Sequence, residues 1–192
     1  ATAACMTVLE PTSNGIGSDA FALIWIEKEK KLYGLNASGV APMAADPEAI
    51  RAMGYEKMPV SGWHTVMVPG APAAWAESAR RFGRLPLTDT FTAAIDYAEN
   101  GYPLSPVIQK LWEKEYNRLK KELEDPRVRE ASDGFEELFR VFMPGGRPPA
   151  VGEIWNCPEL ANSLRIIAET DAEAFYRGEL ADRIDEFARK TN

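Results

Sequence analysis

The chain has 192 residues, of which 45% are hydrophobic and 27% charged, and its formal net charge is −7. These values fit one domain, or one lobe of a larger one, with a hydrophobic core. The acidic balance argues against nucleic acid as the main partner, because phosphate binding needs a basic face. No stretch reaches the roughly 18 consecutive apolar residues that a membrane-spanning helix requires, so no membrane span is predicted.

The first residues, ATAACMTVLEP, are typical of the second half of an apolar helix that ends before Pro11. They contain neither an initiator methionine nor the basic start of a signal peptide. We therefore expect further polypeptide upstream. Cys5 and Cys157 lie far apart and lack the spacing of metal ligands, and Cys5 is interpreted as a small core residue.

A polar loop at residues 12–19 precedes a predicted β-hairpin. Residues 21–26 form a nearly continuous apolar run, which indicates a strand covered on both faces. Residues 27–31 form the charged turn, and residues 32–35 return as the second strand. A third strand is predicted at residues 63–68.

From Pro72 onward the pattern is helical, with Gly83 after the first helix and Ser105-Pro106 at the start of another. The predicted helices lie at residues 72–82, 89–99, 106–123, 134–141, 158–169 and 179–190. Their apolar stripes, such as Leu180, Ile184 and Phe187 in the last helix, are interpreted as packing surfaces. Because the predicted strands come first along the chain and the helices follow them, the predicted fold class is α+β rather than alternating βαβ.

Known catalytic and cofactor motifs do not account for this sequence. His64 is the only histidine and lies in a strand-like run, which favours a structural role over that of a catalytic base. The loop SNGIGSDAF precedes a strand and lacks the third glycine of a dinucleotide site, and MPGGRPP lacks the Gly-Lys-Ser/Thr ending of a phosphate loop. Asp133, Glu136 and Glu137 are interpreted as an acidic helix start capped by Asp133. No cofactor and no metal are therefore predicted.

Several short motifs occur in a fixed order, namely VLEPTSNGIGSDAFALIW, KLYGLNASGVAP, VMVPGAPAAW, FGRLPLTDTFTAAIDYAENGYPLSP and AFYRGELADRI. Together they resemble the large-subunit portion of the gamma-glutamyltranspeptidase family over nearly all 192 residues. The GSDAFAL form is closer to the acylase-like branches than to typical glutathione-cleaving members.

The resemblance implies part of a four-layer αββα N-terminal-nucleophile hydrolase fold. Residues 1–70 would be the strand-bearing part of that core and residues 71–192 the helical region of the large subunit, with the chain truncated at both ends. It implies a proenzyme that cleaves itself and, as a glutathione hydrolase-like acyltransferase, passes a gamma-glutamyl group to water or to an amino acceptor. The family has periplasmic, secreted and cytoplasmic members, so the compartment stays open.

The family nucleophile is a threonine at the N-terminus of the small subunit, whose own α-amino group, with a reference pKa of about 7.7–8.0, serves as the base. Neither Thr2 nor Thr191 matches it. The resemblance therefore implies that no catalytic residue lies in this chain, and that its partner is the small subunit of the same proenzyme.

The family also places an arginine, which binds the substrate α-carboxylate, four residues before the proline of an Ala-Pro pair. Here that pair is Ala41-Pro42, and the position is Ser38. In acylase-like branches a basic residue stands two before the proline, and here that residue is Val40. Either the complete protein acts on an amide other than gamma-glutamyl, or Arg51 or an arginine outside the chain substitutes.

Two alternatives stay open beside the gamma-glutamyl activity, and a third is disfavoured. The first is a cephalosporin-acylase-like or poly-gamma-glutamate-cleaving amidohydrolase. The second is a non-catalytic relative that keeps the fold for binding. An independent helical interaction domain is disfavoured, because residues 21–26 would then leave an apolar strand exposed to aggregation.

Overall fold

A computed structural model describes residues 1–130 and 135–191. The helices are α1 (Thr2–Leu9), α2 (Pro47–Ala52), α3 (Ala71–Phe82), α4 (Leu87–Asn100), α5 (Pro106–Glu122), α6 (Pro126–Glu130), α7 (Phe135–Phe142), α8 (Pro158–Glu169), α9 (Glu173–Arg177) and α10 (Glu179–Thr191). The strands are β1 (Ala20–Ile26), β2 (Lys31–Ala37), β3 (Tyr102–Pro103) and β4 (Ile154–Trp155). This order confirms the α+β class, with a hairpin first and helices after it.

The hairpin pairs β1 with β2 in antiparallel register, from Ala20 opposite Ala37 to Ile26 opposite Lys31. A 3₁₀ turn at Glu27–Glu29 joins the strands, and Lys30 adopts the left-handed conformation that lets the chain reverse.

Helix α3 covers one face of this hairpin. The ring centroids of Tyr33 on β2 and Phe82 on α3 are 5.1 Å apart. The opposite face is open, since Phe21, Leu23 and Trp25 are 67%, 79% and 53% exposed. The prediction that this strand is covered on both faces is therefore wrong within the described part of the chain, because α3 is the layer that packs there and it reaches one side only.

The predicted third strand is also wrong. Gly62 has a positive φ of 93°, and a 3₁₀ turn at Trp63–Thr65 follows it. The Thr65 hydroxyl donates to the Gly62 carbonyl at 2.8 Å, which closes the turn locally. The aromatic and β-branched composition of this segment suggested a ladder, but Trp63 instead uses its indole N–H to contact α10.

The hydrophobic core lies among α1, α4 and α8. Val8, Phe91 and Leu164 are almost completely buried there. Small side chains let α4 and α8 approach closely, since Ala94 and Ala161 are also inaccessible.

A second part of the core is aromatic and holds the short β3–β4 pair. The Trp112 and Trp155 rings are 5.0 Å apart and nearly perpendicular, while Phe142 stacks on Trp155 at 5.7 Å. Each indole N–H has a partner, with Trp112 donating to the Phe142 carbonyl and Trp155 to the Val141 carbonyl. This cluster fixes α5 and α7 beside the two strands.

Most predicted helices are confirmed to within two residues at each end. The Ser105 hydroxyl accepts from the Ile108 N–H, as a capping residue should. The proposed cap Asp133 lies outside the described residues. Helices α2, α6 and α9 and the β3–β4 pair were not predicted. Within residues 1–130 and 135–191, no helix combines the length and the apolar character that crossing a membrane would demand.

Candidate functional site

The end of β2 meets the segment that leads into α3, and we call this place, residues 36–40 and 66–70, the strand-end junction. The Val68 N–H donates to the Val40 carbonyl at 3.0 Å. The Ser38 N–H donates to Asn36 Oδ1 at 3.0 Å, which bends the chain away from the hairpin. Two segments separated by about thirty residues are thus held together by backbone contacts.

Two glycines permit this close approach. A Cβ added to Gly39 would lie 1.9 Å from the Val68 carbonyl oxygen, and Gly39 has a positive φ of 76°. A Cβ added to Gly70 would lie 1.9 Å from the Ala37 carbonyl oxygen. Because both obstacles are backbone atoms, rotation of a side chain cannot relieve either clash. The junction therefore requires glycine at both positions.

The N-terminus of α3 is anchored at the same place. The Ser18 carbonyl accepts the N–H groups of Gly70 and Ala71, at 3.1 and 2.9 Å. The Tyr176 hydroxyl, from α9, donates to the Pro69 carbonyl at 2.7 Å and accepts the Ala73 N–H at 3.1 Å. Burial raises the pKa of Tyr176, so the phenol stays neutral and keeps its proton for Pro69.

These contacts also limit what the junction can do chemically. Pro72 has no N–H, and the Ala74 N–H donates to the Gly70 carbonyl within the helix. The first-turn donors of α3 therefore serve the fold and do not form an anion site. The junction offers shape and one hydroxyl rather than a positive charge.

That hydroxyl belongs to Ser38, the residue singled out by sequence. Ser38 is half-buried, and its Oγ donates to the Gly39 carbonyl at a long 3.4 Å. Val40 beside it is 66% exposed. Arg51, the alternative cation, lies on α2 and pairs with Glu48 of the same helix. Ser38 and Val40 thus lie on an anchored turn, whereas the Arg51 side chain is paired with a glutamate of its own helix.

Thr2, Thr191 and His64, which the sequence analysis considered, lie outside the strand-end junction. Thr2 is exposed on α1, whereas Thr191 is buried at the end of α10. The Thr191 hydroxyl donates to the Phe187 carbonyl and accepts the Trp63 indole N–H, both at 2.8 Å. His64 is half-buried in the 3₁₀ turn after Gly62. The Thr191 hydroxyl therefore fastens this turn to α10.

The cysteines are both free thiols. Burial raises the pKa of Cys157, which makes it an inert core residue rather than a thiolate nucleophile. Cys5 packs against the core at the α1 side. Across residues 1–130 and 135–191, the structure brings together no group of three or more His, Cys, Asp or Glu side chains that could bind a metal ion.

The sequence singled out Ser38 and Val40 as candidates, whose role stays a prediction, and it did not point to the residues that hold them. Gly39 and Gly70 carried a signal, since each stands at the end of an extended segment, where a close backbone approach is common. Ser18 and Tyr176 carried none, because their contacts join parts of the chain that are remote in sequence.

Comparisons with known proteins give a consistent result. A family model described as Gamma-glutamyltranspeptidase matches residues 1–192. The chain is 32% identical over 185 residues to the "Glutathione hydrolase-like YwrD proenzyme" of Bacillus subtilis (strain 168), covering 96% of this chain and 32% of that protein.

Two solved structures are also similar to this chain. The structure of cephalosporin acylase from Bacillus halodurans is 52% identical with a TM-score of 0.90, and the match covers 98% of this chain and 34% of that one. A gamma-glutamyltranspeptidase from Pseudomonas nitroreducens is 25% identical with a TM-score of 0.78, and the match covers 99% of this chain and 52% of that one. The chain therefore spans about a third of the length of the YwrD proenzyme and of the cephalosporin acylase.

Proposed function

The chain belongs to the gamma-glutamyltranspeptidase family, and from that premise we propose that it is the large-subunit part of an enzyme that cleaves an amide bond and transfers the acyl group. The acyl group proposed first is gamma-glutamyl, and the acceptor is water or an amine. The observation that carries the proposal is the open hairpin face, in a chain that spans about a third of the length of two of its relatives.

The exposed face of β1 supports a partner layer. Phe21, Leu23 and Trp25 alternate along the strand and point away from α3. Monomeric proteins rarely leave such a contiguous apolar surface in water. A second sheet packed on this face, with its own helical layer behind, would give the four-layer αββα arrangement. In this proposal residues 1–70 form the strand-bearing part and residues 71–192 the helical region, and the small subunit of the same proenzyme is the partner.

The chemistry then divides between the two parts. A threonine at the N-terminus of the small subunit would attack the amide carbonyl, with its α-amino group taking the hydroxyl proton. Such a nucleophile needs no histidine, which is consistent with the structural setting of His64. This chain would contribute the anchored turn that carries Ser38 to one wall of the site, and no catalytic residue.

A second candidate, a cephalosporin-acylase-like enzyme, is favoured by Ser38, while Val40 departs from the basic residue that acylase-like branches carry at that position. A substrate α-carboxylate is best bound by a bidentate arginine, whereas Ser38 can donate one neutral hydrogen bond. Val40 adds an exposed apolar surface beside it. Ser38 by itself fits an acyl group without an α-carboxylate better than gamma-glutamyl, whereas an arginine from outside residues 1–192 would restore the fit to gamma-glutamyl.

Steady-state kinetics on the complete protein separate the two candidates. The two substrates are gamma-glutamyl-p-nitroanilide and butyryl-p-nitroanilide, which has the same chain length but lacks the α-carboxylate and α-amino group. A higher kcat/KM for the first supports the gamma-glutamyl enzyme, and a higher value for the second supports the acylase. If the protein neither cleaves itself nor hydrolyses either anilide, the enzymatic proposal is wrong and the non-catalytic relative takes its place.

A further inference from the structure

The carboxylate of Asp19 lies at the same end of the hairpin as Ser38. The residue after it, Ala20, begins β1 and pairs with Ala37 at the end of β2. The residue before it, Ser18, accepts two N–H groups at the N-terminus of α3 through its carbonyl, at 3.1 and 2.9 Å. Asp19 is therefore held on both sides by residues that contact the strand-end junction.

The alternation of side chains along β1 places Asp19 on the open face of the hairpin. Phe21, Leu23 and Trp25 point to that face. Asp19 stands two residues before Phe21 and is exposed, so its side chain follows the same alternation. The proposed function places a second layer on this face. Asp19 thus lies where the strand-end junction meets that layer, beside the wall assigned to Ser38.

The negative charge of Asp19 has no counterpart at the junction. Within the part of the chain that the structure describes, its carboxylate forms neither a hydrogen bond nor an ion pair. Ser38 and Val40 carry no charge, and Arg51 is paired within α2. A carboxylate that a second layer covers is stable only when a cation or several donors accompany it. The junction therefore presents a negative charge to the proposed site and favours a cation beside it.

We propose that Asp19 determines the specificity for the acyl group, by binding an ammonium group on the acyl chain and repelling a carboxylate. This rests on the proposed function and names its substrate class, which is amides of acyl groups that carry an amine and no carboxylate. A charge-assisted hydrogen bond from the ammonium group to Asp19 stabilises the bound substrate. A substrate carboxylate instead meets a like charge beside Ser38. Gamma-glutamyl carries both groups, so its amine is favoured and its carboxylate is not.

Three anilides separate the charges of the gamma-glutamyl group. 4-Aminobutyryl-p-nitroanilide keeps only the amine, glutaryl-p-nitroanilide keeps only the carboxylate, and butyryl-p-nitroanilide has neither. For each, kcat/KM is measured with the complete protein after subtraction of the rate without enzyme.

The variants remove the charge of Asp19 in two ways. Asp19→Asn preserves the shape of the side chain, and Asp19→Ser repeats the measurement with a smaller neutral one, so that a folding defect of either variant does not decide the result. Asp89→Asn is the matched control, because it makes the same change at an exposed position of α4, which packs on α1 and α8.

We expect the unmodified protein to prefer the 4-aminobutyryl over the glutaryl anilide by about tenfold or more, with butyryl between them. Both Asp19 variants should lower that ratio by about tenfold, and Asp89→Asn should leave it unchanged. A preference of the unmodified protein for glutaryl would overturn the proposal. So would a ratio that neither Asp19 variant changes. If that unchanged ratio came with a lower midpoint of thermal unfolding, Asp19 would pair with a cation of the protein instead of the substrate.

A binding measurement separates this proposal from the proposed function. The complete protein is titrated with 4-aminobutyramide in a calorimeter, which requires no turnover. Binding that Asp19→Asn abolishes, in a protein that cleaves no anilide, would overturn the proposed function and leave Asp19 as an ammonium site. Cleavage with a ratio independent of Asp19 would overturn the role of Asp19 and leave the proposed function standing. Neither cleavage nor binding would overturn both.

Discussion

Replacing Gly39 by alanine tests whether the strand-end junction is held as tightly as its geometry indicates. The added Cβ meets two separate penalties. A positive φ costs a residue with a Cβ roughly 1–2 kcal/mol, and overpacking against a fixed neighbour costs about 1–3 kcal/mol. The Cβ would lie 1.9 Å from the Val68 carbonyl oxygen, so both penalties apply. We expect Gly39→Ala to lower the free energy of unfolding by roughly 2–5 kcal/mol.

Two matched variants separate these penalties. Gly145 has a similar positive φ of 71° and open space around it, so Gly145→Ala should show the backbone strain alone, about 1–2 kcal/mol. Gly70 has an ordinary φ of −99°, but a Cβ there would also lie 1.9 Å from a carbonyl oxygen, that of Ala37. Gly70→Ala should therefore show the clash alone, about 1–3 kcal/mol. Denaturant unfolding of the complete protein measures all three. The reasoning is refuted if Gly39→Ala is no more destabilising than Gly145→Ala.

Three further changes test other parts of the account. Burial raises the pKa of Tyr102 from 10.0 to about 12, so the fold favours the neutral phenol, whose stabilising effect is complete below pH 10 and is lost as pH rises toward 12. Tyr102→Phe should therefore reduce the loss of stability between pH 10 and 12, and an unchanged slope in denaturant unfolding would contradict the assignment. Ser38→Arg should raise kcat/KM for gamma-glutamyl-p-nitroanilide relative to butyryl-p-nitroanilide by about tenfold or more. The control Thr92→Arg, at an exposed position of α4, should leave that ratio unchanged, and an equal effect of both variants would argue against a Ser38 contact. Trp63→Phe removes the hydrogen bond to Thr191 and should cost about 1 kcal/mol of stability. Tyr33→Phe removes an exposed bond to Glu29 and should cost less, so thermal unfolding that ranks the two in the reverse order would count against the anchoring role.

Local signals explain why most helices could be predicted from the sequence. Ser105 and Pro106 mark the start of α5, and Gly83 and Gly101 follow the ends of α3 and α4. These residues act within one turn of chain, so neighbouring sequence suffices to find them. The helix α2 also had such a signal, since Asp46 accepts from the Glu48 N–H ahead of Pro47 at the first position. Its six residues were too few for a periodic pattern.

The features that escaped prediction depend on distant partners. The pair β3–β4 has two residues per strand and exists because Tyr102 and Trp155 pack together. The segment at residues 63–68 looks like a strand in the sequence, because the pattern cannot distinguish an aromatic residue that contacts α10, as Trp63 does, from one that is buried in a sheet. The open face of β1 shows the same limit, because a continuous apolar run predicts covering on both sides without saying which chain segment provides it.

The candidate site also has one part that the sequence indicates and another that depends on tertiary contacts. Ser38 and Val40 could be located from sequence through the position of Ala41-Pro42. Their support could not, because Tyr176 reaches Pro69 across more than a hundred residues. The close approach of the Gly39 backbone to the Val68 carbonyl is likewise set by tertiary packing.

The most direct test of the central claim is to find the residue that carries the acyl group. The complete protein is mixed with a slowly hydrolysed acyl amide, quenched in acid during turnover, and digested for peptide mass spectrometry. We predict that the added acyl mass is found on a threonine at a newly formed N-terminus outside residues 1–192. An acyl group on any residue between 1 and 192 would contradict the account.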